Sequence, residues 1–392
     1  MAEVWRDFFS SLLDERGTRI LVKKSDRGDD ITGLMRAEVD EMEGYEPIEP
    51  IDQLARRLGI PPERIIKLDG NENPYGPSPK ALEAIARYPY YHIYPDPEQR
   101  EARAALSRFL GIGEERIIAG SGSDELMDIV LRLFLSPGEG VINCPPTFGM
   151  YPFLTKVVGG RVIEVPRRED FSLDVPAIAA AAREAKVIFI ASPNNPSGNV
   201  IAREELEALL ATGLVVVLDE AYGEFAGDSP ISQAPSRDNL LVLRTLSKWA
   251  GLAGLRVGYG IFPPAVVKAA MKIKQPYNLN AAAQAALLAS LADVGLLRER
   301  VQALVKERER LTQALTGISF LRPLPSRANF ILCRVIGGDA REVWGKLQQR
   351  GIMVRFFDSP RLRDCLRISV GLPEHTAALV KALQEIGGEL GI

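Results

Sequence analysis

Cysteine and histidine are scarce in this chain: three cysteines (Cys144, Cys333, Cys365) and two histidines (His92, His375) in 392 residues. So few and so scattered, they exclude a disulfide framework and a Cys/His zinc site, and they are expected in a reducing, cytoplasmic setting. Long apolar runs are missing as well. None approaches the roughly 18–20 residues of a membrane span, and Met1 to Leu13 carries Glu3 and Asp7 without a signal-peptide cleavage pattern. No excess of one charge exists either, with 48 Lys+Arg against 51 Asp+Glu. A field that would hold nucleic acid or an anionic membrane by charge is therefore not expected. Neither an internal repeat nor a low-complexity segment is apparent. What remains is a globular composition, 46% hydrophobic, with length for two or three domains and material for a sizeable core.

From Ile118 to Ile261, short β-branched runs alternate with stretches of helical composition: Gly140–Asn143, Lys186–Ile190, Leu214–Leu218, Leu240–Leu243 and Arg256–Tyr259. Continuous apolar runs without alternation suit strands buried on both faces, so the expectation is an α/β domain with a mainly parallel central sheet covered by helices. Ligands should gather at the carboxyl ends of those strands. Residues 280–316 turn Ala/Leu/Glu/Arg-rich without proline, as long helices do. After Pro323-Leu-Pro325 come strand candidates at Phe330–Arg334, Met353–Phe357 and Leu366–Val370, a second, smaller α/β unit. The expected division is an N-terminal extension and arm over 1–75, a large domain over 76–278 and a small C-terminal domain over 279–392. Within the extension, Val4, Trp5, Phe8, Phe9, Leu12 and Leu13 recur at helical spacing and predict a short amphipathic helix that docks on its own subunit or a twin. Residues 1–45 hold eleven acidic and seven basic side chains, the wrong charge for a DNA-reading head.

Four turn-like clusters follow the strand candidates. Gly120-Ser121-Gly122-Ser123-Asp124-Glu125 precedes a helical stretch, and amides at a helix start with serine hydroxyls make a phosphate site, although an ordinary capped turn reads the same way. Glu125 occupies the third glycine position of G-x-G-x-x-G, and no Gly-Lys-Ser/Thr follows, so neither a dinucleotide fingerprint nor a P-loop is present. Ser192-Pro193-Asn194-Asn195-Pro196 is a polar loop whose amides can donate to a ligand. In Leu218-Asp219-Glu220-Ala221-Tyr222, a carboxylate ends an apolar strand, which is costly without a cationic partner. In Arg244-Thr245-Leu246-Ser247-Lys248, with Arg256 eight residues on, burial and cationic neighbours would lower the lysine pKa, as a Schiff-base amine requires. Cys144 reads as a buried small hydrophobe, His92 as structural and His375 as a surface residue at a helix start.

In this order, with 29 residues from Asp219 to Lys248, the clusters resemble the pyridoxal-phosphate-dependent aminotransferases of class I/II, which have the aspartate aminotransferase fold (fold type I). The resemblance covers about residues 45–392 and extends to Leu68-Asp-Gly-Asn-Glu-Asn-Pro-Tyr-Gly-Pro77, Tyr94-Pro-Asp96, Cys144-Pro-Pro-Thr-Phe-Gly-Met-Tyr151 and Leu252-Ala-Gly-Leu-Arg256. Phe148, where tyrosine is frequent, and the N-terminal extension depart from the pattern. The resemblance implies pyridoxal 5′-phosphate as cofactor, joined to Lys248, with Asp219 on the pyridinium nitrogen and Tyr222 and Asn195 on the ring oxygen O3′. It implies Phe148 on the ring face, and Ser121, Ser123, Asp124, Ser247 and Arg256 around the phosphate. Tyr94 would reach that phosphate from the other subunit of a homodimer. Tyr75, Asn329, Arg355 and Arg367 match substrate-binding positions. The implied activity is transfer of an amino group from a small-molecule amine to a 2-oxo acid such as 2-oxoglutarate. Two arginines suit a phosphate-bearing donor, with aromatic amino acids, or decarboxylation of threonine phosphate, as alternatives. Rivals from other classes are a nucleotide-dependent oxidoreductase, disfavoured by the missing third glycine, and a transcription regulator with an aminotransferase-like body.

Overall fold

In the computed structural model, residues 31–392 are described, apart from Glu41, Glu46 and Asp228. The amphipathic helix expected within residues 4–13 lies outside them. Met1–Glu43 is a unit of its own, whose described part has a 3-10 turn at Ile31–Leu34 and a helical turn at Ala37–Asp40. Gly44–Ile392 is the other unit, and it contains two sheets.

The strands of that unit are β1 (Ile66–Leu68), β2 (Ile117–Ser121), β3 (Gly140–Asn143), β4 (Arg161–Glu164), β5 (Ala185–Ala191), β6 (Val215–Asp219), β7 (Leu240–Thr245), β8 (Val257–Ile261), β9 (Leu321–Pro323), β10 (Phe330–Val335), β11 (Ile352–Phe356) and β12 (Cys365–Ser369). The large sheet has the order β2-β8-β7-β6-β5-β3-β4. Strands β4, β3, β5, β6 and β7 pair in parallel, while β8 runs antiparallel to both β7 and β2. The sheet is thus mainly parallel with one reversed strand, which the apolar composition of β8 does not reveal.

Both faces of this sheet are covered, which explains the uninterrupted apolar runs. Ile188, Ile190, Val216, Leu218 and Val242 belong to one core cluster, and Val187, Phe189, Val217, Leu241 and Leu243 to another. Neighbours along a strand point to opposite faces, so a polar residue in these runs would be buried whichever way it turned. Polar chemistry is accordingly pushed to the strand ends.

The small sheet has the order β1-β11-β12-β10-β9. Its first member, β1, pairs in parallel with β11, so a strand from early in the chain completes a sheet otherwise built from its last third. Between the sheets in sequence stand the helices Ala281–Ala292 and Val294–Thr316. The Asn280 side chain caps the first through Ala283 N (2.8 Å), and the pair bends by 82° at Asp293. No single helix among the described residues is long and apolar enough to cross a membrane.

Candidate active site

The carboxyl ends of β2, β3, β5, β6 and β7 lie along one edge of the large sheet, and the reversed β8 begins at that same edge. Every cluster singled out in the sequence is attached there. Ser123 and Asp124 follow β2, Phe148 follows β3, Asn195 follows β5, Tyr222 follows β6 and Lys248 follows β7, while Asp219 ends β6 and Arg256 precedes β8. Together with Ser247 they line one cleft, which adjoins a wider cavity lined by Tyr45, Arg355, Phe357 and Arg367.

The phosphate-like end is built by the helix Gly122–Phe134, whose amino end opens on the cleft and favours negative charge. Arg256 donates through Nη2 to Asp124 Oδ2 (2.9 Å), and its backbone carbonyl accepts from Gly122 N (3.1 Å). Gly122 has φ +79°, and a Cβ there would run into the Arg256 guanidinium. A Cβ on Gly258 would strike the Gly122 carbonyl carbon and Ser123 N. Two glycines therefore let β8 and the helix start close on each other. Ser247 lies beside Thr245, with 2.9 Å between their hydroxyl oxygens.

Asp219 is 4% exposed. Its Oδ2 accepts from the Tyr151 hydroxyl (2.7 Å) and its Oδ1 from Ala221 N (3.0 Å). Burial pushes its carboxyl up to about 6, against the pull of these two hydrogen bonds. The Tyr151 ring is fixed by stacking on Phe189 (5.0 Å, 10°) and by the edge contact with Phe148 (5.6 Å, 85°). Lys248, partly open to the cleft, donates from Nζ to Gly70 O (3.0 Å). Desolvation first, then Arg367 and Arg256, push its amine down to about 8. Such a lysine is within reach of its neutral, nucleophilic form near physiological pH.

On the small-sheet side, Arg367 in β12 donates from Nη1 to Asn195 Oδ1 (2.6 Å) and from Nη2 to the Asp69 carbonyl, while its buried Nε has no hydrogen-bond partner among the described residues. Arg355 in β11 is paired in register with Arg367. Burial, with Arg355 adding to it, lowers the Arg367 pKa, so the two cations meet in a place that favours an anion. Tyr222 is buried, edge-on to Phe330 (5.0 Å, 84°), and its hydroxyl accepts from Asn71 Nδ2 (3.0 Å).

Not every expected residue lines the cleft. Ser121 ends β2, and its N–H is taken by Glu125 Oε2 (2.6 Å), the side chain at the third glycine position of the sequence pattern. Tyr75 lies under the Arg300 guanidinium (5.9 Å), outside both cavities. Asn329 is 1% exposed and spends its Nδ2 on the Asn71 carbonyl (2.9 Å), so it stands behind the cavity wall. Tyr94 is 77% exposed and stacks on Tyr277 (4.4 Å, 15°). Cys144 is buried and its thiol pushed up to about 11, the inert state expected of it. Conversely, Tyr151, Asn71 and Tyr45 had no assigned role. Tyr151 follows Phe148 by nearly one helical turn, and that spacing was the available signal.

The donor set fits pyridoxal phosphate. A buried carboxylate without a cationic partner among the described residues suits a protonated ring nitrogen. A helix start with Arg256 suits a phosphate, and an amine lowered to about 8 suits an aldehyde.

A lysine, a carboxylate and an anion cradle at the edge of a mainly parallel sheet define a class, and sequence comparison agrees. The chain belongs to the family aminotransferase class I and II, whose model matches residues 63–385. It is 50% identical over 366 residues to the histidinol-phosphate aminotransferase of Roseiflexus castenholzii, covering 91% of this chain and 99% of that one. The chloroplastic histidinol-phosphate aminotransferase of Nicotiana plumbaginifolia is 48% identical over 360 residues, 90% of this chain and 87% of the relative. Among solved structures, the histidinol-phosphate aminotransferase of Sinorhizobium meliloti in complex with pyridoxal-5′-phosphate superimposes with a TM-score of 0.82 at 30% identity, over 91% of this chain and 98% of the other.

Proposed function

We propose that this protein is a pyridoxal-phosphate-dependent aminotransferase that moves the amino group of L-histidinol phosphate to 2-oxoglutarate, reversibly, giving imidazole acetol phosphate and glutamate in histidine biosynthesis. The observation that carries the reading is the single cleft in which Lys248, Asp219 and the Arg256 cradle meet, with Arg355 and Arg367 at its outer side. The relatives' names support the choice of donor.

Bound there, pyridoxal phosphate supplies a carbon to which amines attach and a ring that accepts electrons from the carbon–hydrogen bond being broken. Asp219 holds the proton on the ring nitrogen, and Tyr151 keeps that carboxylate ionised and aimed. Asn195 and Tyr222 hydrogen-bond the ring oxygen, and Phe148 covers the ring face. Ser123, Asp124, Ser247 and Arg256 hold the phosphate. Lys248 would hold the cofactor through its amine and, with that amine free, would hold and move the proton at the substrate carbon, so one residue would both attach and shuttle. The donor's phosphate and the acceptor's carboxylates fall on Arg355 and Arg367, since a guanidinium pairs with either through two charge-assisted hydrogen bonds.

The enzyme works as a homodimer in the cytoplasm, and Tyr94 completes the phosphate site of the partner. The exposed Tyr94–Tyr277 stack supports the dimer, and three buried free thiols suit a reducing compartment. Mixing an inactive K248A protein with an inactive Y94F protein should restore activity in exchanged heterodimers; none restored would sink the shared site. The donor is tested by kcat/KM for histidinol phosphate, phenylalanine and tyrosine with 2-oxoglutarate fixed. Histidinol phosphate should lead, and a preference for phenylalanine would move the assignment to an aromatic amino-acid aminotransferase.

A further inference from the structure

Asn71 is tightly constrained. It follows β1, has a left-handed backbone (φ 52°) and is 1% exposed. Each of its polar groups is engaged. The backbone N–H donates to Ser369 Oγ (2.9 Å), and the carbonyl accepts from Asn329 Nδ2 (2.9 Å). Oδ1 accepts from the Ser369 hydroxyl (2.8 Å), and Nδ2 donates to the Tyr222 hydroxyl (3.0 Å).

One hydroxyl fixes the order of protons along this chain. Ser369, at the end of β12, is 2% exposed, and its single proton goes to Asn71 Oδ1. With the Asn71 amide turned around, Ser369 Oγ would receive two donors while its own proton had no acceptor in a buried site, a costly arrangement. The amide nitrogen must therefore face Tyr222. A phenol oxygen that already accepts from Nδ2 keeps its O–H for another partner. Tyr222 lines the cleft, so that O–H is directed into it. The charged or titratable groups around Tyr222 are Asp219 from β6, Lys248 from the turn after β7, Arg367 from β12, Tyr151 from the helix Met150–Val157, and Tyr45. They set the local field, but among the described residues it is Asn71 that hydrogen-bonds the hydroxyl.

We propose that Asn71, locked by Ser369, is a positioning residue that makes Tyr222 a one-way hydrogen-bond donor to the ring oxygen of the bound cofactor. The inference rests on the proposed pose of pyridoxal phosphate, with its ring oxygen at Tyr222. A donor on that oxygen competes for the proton it shares with the Lys248 nitrogen, so it lowers the proton affinity of the cofactor–lysine linkage. The small sheet thereby tunes the chemistry of a residue on the large one.

The test is a pH titration of the visible absorbance of the holoenzyme in wild type, N71D, S369A, Y222F and the N71D/Y222F double variant. N71D keeps the shape of the side chain but puts an acceptor where the donor stood, so Tyr222 turns its proton inward. N71D and Y222F should each raise the proton affinity of the chromophore roughly tenfold, and N71D should add little in the Y222F background. S369A frees the amide to turn around without adding a charge, and should give a smaller rise in the same direction. An N71D shift that persists undiminished in the Y222F background is a plain charge effect and overturns the proposal, as does an S369A titration identical to wild type. If Y222F itself leaves the titration unmoved, Tyr222 does not meet the ring oxygen, and the pose fails along with the inference.

Discussion

The large sheet brings its site residues from the ends of successive strands, whereas the small sheet brings Asn71, Arg355, Arg367 and Ser369 together from segments up to 298 residues apart. In the first case each residue sits in a short motif beside an apolar run, and the parallel arrangement collects the motifs at one edge. In the second, β11 must pair with β12 to bring Arg355 to Arg367, and β1 with β11 to bring Asn71 to them. The cofactor half of the cleft is therefore a property of local sequence plus one sheet, and the substrate half a property of tertiary pairing.

The comparison predicts variants of graded severity. K248A should lower turnover by about 10⁴-fold or more, because attachment and proton transfer both depend on one amine. Circular dichroism should show the variant folded. D219N should keep the cofactor and lose roughly 10²–10³-fold in kcat, since a neutral amide cannot hold the ring-nitrogen proton. Unchanged turnover would make Asp219 a structural residue.

On the small-sheet side the loss should depend on the substrate. R355A should cost on the order of 2–5 kcal/mol in kcat/KM for histidinol phosphate and much less for phenylalanine, which has no phosphate. Equal losses for both donors would mean that Arg355 does not read the phosphate.

Y151F should have the smallest effect, about tenfold at neutral pH, and it should be pH-dependent. Burial has already raised Asp219 to about 6, and losing the Tyr151 hydroxyl raises it further. The carboxylate is ionised above its pKa, so cofactor affinity in Y151F should fall as pH drops from 8 to 6 more steeply than in wild type. A parallel fall in both proteins would show that Tyr151 only packs.

Which of these residues could be read from the sequence follows from the same contrast. Asp219 and Lys248 stand out because a charge at the end of an apolar strand is costly unless used, and strand ends are visible in composition. Tyr151 does not, because its hydroxyl meets Asp219 only once the helix Met150–Val157 is set over the sheet. Tyr75 and Asn329 were expected in the pocket from their motifs; Tyr75, 36% exposed, lies beside the Arg300 guanidinium, and Asn329 hydrogen-bonds the Asn71 carbonyl. The reversed direction of β8 was hidden as well, although it is what brings Arg256 to the phosphate end.

The most direct measurement of the central claim is borohydride reduction of the holoenzyme followed by peptide mapping. The account predicts one pyridoxyl-labelled residue, Lys248, with loss of the visible band. Lys274, 6% exposed, is more buried than Lys248. A label there or on any other lysine, or no label at all, would contradict the account.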